Sequence, residues 1–175
     1  MSFLSFLLNA KNANIIVADD DLTVLSKYGL IITSIDEDTM TDKALADASR
    51  LIELIPEEVY GYYTRGWIYE LMGDDDAAMA DYNRGIEVDD SYAYIYLMRG
   101  EQYLKYGNTE LARADFERIL ELDTEATDGS CRHYALHFLS RDNEAIEWIE
   151  RIIETDPYKP GYRYDEACLY ARMGN

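Results

Sequence analysis

Between Val59 and Ala126 one pattern is written twice, 34 residues apart. Tyr62, Arg65, Gly66, Tyr69, Gly73, Ala78, Asp81, Tyr82, Arg84 and Glu87 return as Tyr96, Arg99, Gly100, Tyr103, Gly107, Ala112, Asp115, Phe116, Arg118 and Glu121. Agreement at ten positions without a slip constrains the fold more than any other feature. A period of this length is too short for a domain and right for a helix pair, a unit that buries its apolar face only by stacking on neighbours.

Each unit reads as two helices and a tight turn. Tyr62, Gly66 and Tyr69, with Tyr63 and Trp67 beside them, follow the spacing of a buried helical stripe. Gly73 ends that helix, because glycine enters the left-handed conformation without a Cβ penalty. Asp74–Asp76 then stand where acidic side chains cap the next helix and meet its positive end. Ala78, Tyr82, Ile86 and Val88 form the second stripe. Gly66 and Gly100 lie in helix interiors, where glycine costs about 1 kcal/mol against alanine. Paying this twice at one phase predicts close helix–helix approach, with Ala78 and Ala112 equally close and Tyr82 and Phe116 filling the space beside them.

The motif Tyr62-x2-Arg65-Gly66-x2-Tyr69, then Ala78-x3-Tyr82, and its second copy Tyr96-x2-Arg99-Gly100-x2-Tyr103, then Ala112-x3-Phe116, resemble the tetratricopeptide repeat family. The family pattern is Trp-x2-Leu-Gly-x2-Tyr, Ala-x3-Phe and a closing Pro. Here Tyr replaces Trp, Arg replaces Leu, and Asp90 and Thr124 stand where the Pro would be. The resemblance implies an all-α, right-handed solenoid, a superhelix of antiparallel helix hairpins. It implies a single domain over 1–175: an N-terminal segment 1–24, repeats at about 25–58, 59–92, 93–125 and 126–159, and a terminal helix 160–175.

Elsewhere the pattern drifts. Met1–Asn9 is apolar but too short to span a bilayer, and it lacks the basic start of a signal peptide; it reads as a short capping helix, the alternative being a cleaved or tethering segment. Ile15–Val17 stays open between a strand-like stretch and a helix lead-in. Asp19–Asp21 read as a helix start before Leu22–Ile35 and do not fit a calcium loop. Thr41–Ile55 reads as a helix, with Ala44 lying 34 residues before Ala78. In the third copy Ala145, Ile149 and Ile152 match Ala112, Phe116 and Ile119 at an offset of 33. Its first helix, expected over Gly129–Ser140, carries His133 at the glycine position, which predicts looser helix approach. Pro160–Asn175 begins a fourth copy, with Ala167 at the glycine phase and Tyr170 at the tyrosine phase. That helix either caps the solenoid or belongs to a longer protein.

The chain has 175 residues, of which 48% are hydrophobic, so a core is expected rather than disorder. Its net charge of −19 and pI near 4.3 argue against nucleic acid or an anionic membrane as the main partner, because phosphates would be repelled. They suit a basic partner, or serve solubility on a convex surface. Cys131 and Cys168 are far apart and form no CxxC pair, which favours a reducing, cytoplasmic setting.

In proteins of the family it resembles, the first helices of successive repeats line a concave groove. The matching phase holds Tyr60, Tyr63, Trp67 and Glu70 in the first clear copy, Tyr94, Leu97 and Glu101 with Lys105 one residue past the phase in the second, and Thr127, Ser130, Tyr134 and His137 in the third. Of the last four, Tyr134 is taken into the groove set. Aromatic side chains suit binding hot spots, so the strip is expected to hold a peptide or protein segment; the alternative is that several rings only pack between helices. The Lys, Asn and Arg clamp that captures chaperone C-terminal tails is not matched. His133 and His137, four apart beside Cys131, lack the glutamate of an HExxH pair and the further ligands zinc needs; they read as packing or surface residues. No phosphate-binding glycine loop or nucleophile–base pair is present. The expectation is a non-catalytic interaction scaffold without cofactor or metal. The alternative is an accessory or self-association domain of a larger protein, forming homo-oligomers through an open solenoid end.

Overall fold

The computed structural model describes residues 40–122 and 131–155, with 163, 166, 167 and 169–171 beyond them. The expectations for Met1–Asn9, Ile15–Val17, Asp19–Asp21 and Leu22–Ile35, for Thr127 and Ser130, and for Cys168 lie outside these residues. Among the described residues every regular element is a helix. The chain divides into two compact units, residues 1–90 and 91–175.

The first unit contains α1 (Met40–Leu54), α2 (Val59–Met72) and α3 (Asp75–Val88). Close packing is written in its glycines. A Cβ on Gly61 would stand 2.7 Å from Cγ1 of Ile52, so α1 lies directly on α2. A Cβ on Gly66 would stand 2.6 Å from Cε1 of Tyr82, which seats α3 on the other side of α2. Ala78 and Tyr82 are fully buried, as the repeat predicts. The buried set on α3 is Ala78, Asp81, Tyr82 and Gly85, at helical spacing. Ile86 and Val88, expected in that stripe, are half-buried, and so is Tyr69 on α2.

The second unit contains α4 (Ala93–Lys105), α5 (Thr109–Leu122), α6 (Arg132–Phe138) and α7 (Asp142–Thr155). Gly100 repeats the contact of Gly66: its Cβ would meet Cε1 of Phe116 at 2.6 Å. Phe116 then stacks on Phe138, centroids 4.8 Å apart, and joins α5 to α6. Leu136, Ala145, Trp148, Ile149, Ile152 and Leu169 form one buried cluster. Ala167, predicted at the close-packing phase, is exposed.

Among the described residues, the turns of α2–α3, α4–α5 and α6–α7 close the same way. Gly73 and Gly107 take φ of 77° and 76°, and Ser140 takes φ of 60° at the same place in the third. The amide of each donates to the residue three before it, and the next amide donates to the residue five before that: Gly73 to Glu70 and Asp74 to Tyr69, Gly107 to Leu104 and Asn108 to Tyr103, Ser140 to His137 and Arg141 to Leu136. This is the left-handed cap that satisfies the last carbonyls of a helix. Asp74 also caps α3, its carboxylate accepting the amide of Ala77 at 3.1 Å. The helix expected over Gly129–Ser140 is α6, with Cys131 and Ser140 outside it.

Candidate functional site

A helix turns 100° per residue, so Tyr60, Tyr63, Trp67 and Glu70 fall within about 80° of arc on α2. The buried residues Val59, Gly61, Tyr62, Thr64, Gly66 and Ile68 occupy other parts of the circumference. All four predicted side chains are half-buried. They form one partly open stripe on a helix otherwise held on both sides. Glu70 is fixed from below: its Oε2 accepts the Tyr82 hydroxyl at 2.9 Å.

In the second unit the predicted residues divide. Tyr94 is half-buried and Lys105 is exposed. Leu97, Glu101 and Tyr134 are buried, at 3, 7 and 8% exposure. The same helical phase therefore carries a half-open tryptophan on α2 and a covered glutamate on α4.

The recurring Arg and Asp positions turn out to be partners. Arg65 grips Asp81 with Nε and Nη2, each at 2.7 Å. Arg99 grips Asp115 with Nε at 2.8 Å and Nη2 at 2.6 Å. Both aspartates are buried, and two parallel charge-assisted bonds are the strong form of this contact. The Asp81 hydrogen bond raises the Arg65 pKa above its ordinary value. This pair explains why Arg stands where the motif has Leu: a buried carboxylate on the second helix faces it. In the third copy Arg132 lies over Trp148, 4.8 Å from the ring centroid, and donates to the Leu120 carbonyl at 2.7 Å. Each of the three pairs is 16 residues apart, and that shared spacing was the available signal.

The two histidines are structurally distinct. His133 is buried, and loss of hydration lowers its pKa to about 3. His137 places Nδ1 2.6 Å from Oδ1 of Asp142, at the start of α7. Among the described residues no three His, Cys, Asp or Glu side chains gather where a metal could bind, and no helix is long and apolar enough to cross a membrane.

The tetratricopeptide repeat family model matches residues 59–92 and 93–125. These are the two copies whose glycine contacts and ion pairs coincide. No curated protein matches the chain. Among solved structures, a thermophilic TPR protein from Thermus thermophilus is 19% identical with a TM-score of 0.58, covering 85% of this chain and 77% of its own. A tetratricopeptide repeat protein from Parabacteroides merdae is 20% identical with a TM-score of 0.52, covering 87% of this chain and 56% of its own. At these identities the likeness shows the fold.

Proposed function

Because residues 59–92 and 93–125 are tetratricopeptide repeats, we propose that the protein is a non-catalytic scaffold that holds a peptide or protein segment against the α2 stripe. One observation carries this reading: Tyr60, Tyr63, Trp67 and Glu70 are the half-buried residues of a single narrow arc. Rings that are partly open and already ordered offer contact area at low entropy cost. In the second unit Tyr94 and Lys105 are the members of the groove set that stay accessible, while Leu97, Glu101 and Tyr134 are buried. Nucleic acid is disfavoured by the net charge of −19, which repels phosphates. The setting proposed is cytoplasmic.

The test compares wild type with Trp67→Ala in affinity capture, with each captured protein then titrated in purified form. Truncation of a hot-spot tryptophan is expected to weaken binding by about 1–3 kcal/mol while far-UV circular dichroism stays unchanged. Equal affinities for the two proteins would remove the stripe from the function. If only the protein itself is captured and its mass rises with concentration, self-association replaces segment binding. Tyr60→Ala serves as the second variant should Trp67→Ala unfold.

A further inference from the structure

The chemistry of the α2 stripe selects among occupants. Tyr63, Trp67 and Glu70 follow at i, i+4 and i+7, so two aromatic rings and a carboxylate share one line along the helix. The Tyr82 hydroxyl, on a fully buried ring, anchors the Glu70 carboxylate. The segment that carries the stripe is mostly acidic. Between Pro56 and Asp90 stand ten acidic residues and two basic ones, Arg65 and Arg84. Both cations are committed within the unit, Arg65 to Asp81 and Arg84 to Glu87. An anionic group arriving at this stripe would meet rings and carboxylates. A cation would meet an aromatic quadrupole, which attracts it, and an opposite charge held in place.

We propose that Tyr63, Trp67 and Glu70 read a cation: the occupant of the stripe is a basic peptide segment whose Arg or Lys head lies against the two rings and Glu70. This inference rests on the segment-binding reading above and names the chemistry of the segment. Arginine is the better fit, because its planar guanidinium stacks on rings and pairs with a carboxylate at once. The acidic excess of residues 56–90 attracts such a segment and repels acidic competitors.

The experiment uses the full chain at physiological ionic strength and two labelled peptides read by fluorescence anisotropy. One peptide alternates Arg and Leu; the other carries Glu in place of Arg. The Arg–Leu peptide is expected to bind saturably and the Glu–Leu peptide not at all. Trp67→Leu, which keeps apolar bulk and removes the large ring face, and Glu70→Gln, which still accepts from Tyr82, should each weaken the Arg–Leu peptide about tenfold. Glu147→Gln with Glu150→Gln, on the exposed surface of α7, should leave affinity unchanged. Equal loss in that control would mean diffuse attraction to an acidic surface and would overturn the proposal. Binding of both peptides, binding of neither, or indifference to Trp67→Leu would overturn it as well. A partner captured through Trp67 that the Arg–Leu peptide fails to displace would leave the scaffold reading standing and remove this one alone.

Discussion

The hairpins α4–α5 and α6–α7 build the same joint from different parts. In the first, Gly100 lets the second helix close in until Phe116 fills the space. In the second, His133 stands at the glycine position and Ile149 at the phenylalanine position; both are fully buried. By repeat position bulk has moved from one helix to the other: glycine and a ring in one hairpin, imidazole and a smaller aliphatic at the two matching positions in the other. The long-range pair changes in parallel. Arg99 bonds a buried carboxylate, whereas Arg132 lies over the Trp148 ring. What the repeat preserves is a set of spaces and distances, and more than one chemistry satisfies each of them.

The ion pair is where the two hairpins should differ most under mutation. Asp115→Ala leaves the largely buried Arg99 guanidinium without its counter-charge and is expected to cost about 3 kcal/mol, read as a lower urea midpoint at unchanged slope. Trp148→Phe at the matching position keeps an aromatic face beneath Arg132 and should cost less. If the order is reversed, the two contacts are not equivalent. The volume exchange is tested next. Gly100→His adds a ring where even a Cβ would meet Phe116 at 2.6 Å, and overpacking of this kind costs about 1–3 kcal/mol. Adding Phe116→Ile, which copies the third hairpin, should recover part of that loss, although it forfeits the stacking on Phe138. Strict additivity in the double-mutant cycle would show that the two positions do not share the space.

The third test uses the imidazole, which only the later hairpin possesses. Burial lowers the His133 pKa from 6.5 to about 3, so the folded protein holds it neutral. Above pH 6.5 both folded and unfolded chains carry it neutral, and it adds no pH dependence. Below that the unfolded chain takes up a proton that the folded chain refuses until about pH 3, so stability falls as pH falls. The slope is about 1.4 kcal/mol per pH unit, or about 2 kcal/mol between pH 7 and pH 5. His133→Leu should flatten the stability profile by that amount relative to wild type. Parallel profiles for the two proteins would show that His133 is hydrated and that the joint is more open than its burial indicates.

These contrasts mark what could be read from the chain. The hairpins, the close approach at Gly66 and Gly100 and the left-handed turns at Gly73 and Gly107 were legible, because each rests on a residue whose local chemistry admits few alternatives. The ion pairs were not read as pairs: Arg65 and Asp81 are 16 residues apart and meet only once the hairpin is folded. The looser approach expected at His133 left out the exchange of Phe116 for Ile149, since bulk on one helix has meaning only against the residue facing it. At the candidate site the aromatic character was legible and the degree of burial was not. Trp67 and Glu101 share a phase, yet one is half-open and the other covered, because coverage depends on what neighbouring elements bring and not on position within the repeat.

The smallest effect tests the turn. Ser140 occupies with a φ of 60° the place that Gly73 and Gly107 hold with φ near 77°. A residue with a Cβ pays about 1–2 kcal/mol in the left-handed region, and glycine pays extra backbone entropy on folding. The two nearly offset, so Ser140→Gly should stabilise the protein by only about 0.5–1 kcal/mol. Gly107→Ser should destabilise it by a similar amount, and nothing lies within 4 Å of the position to add a clash. Thermal unfolding of both variants measures the pair. Opposite shifts of equal size would mean that the turns of α4–α5 and α6–α7 are one geometry written with two residues. A loss of stability in Ser140→Gly would mean instead that the serine supports its turn by more than backbone conformation, and the third joint would differ from the second at its turn as well as in its core.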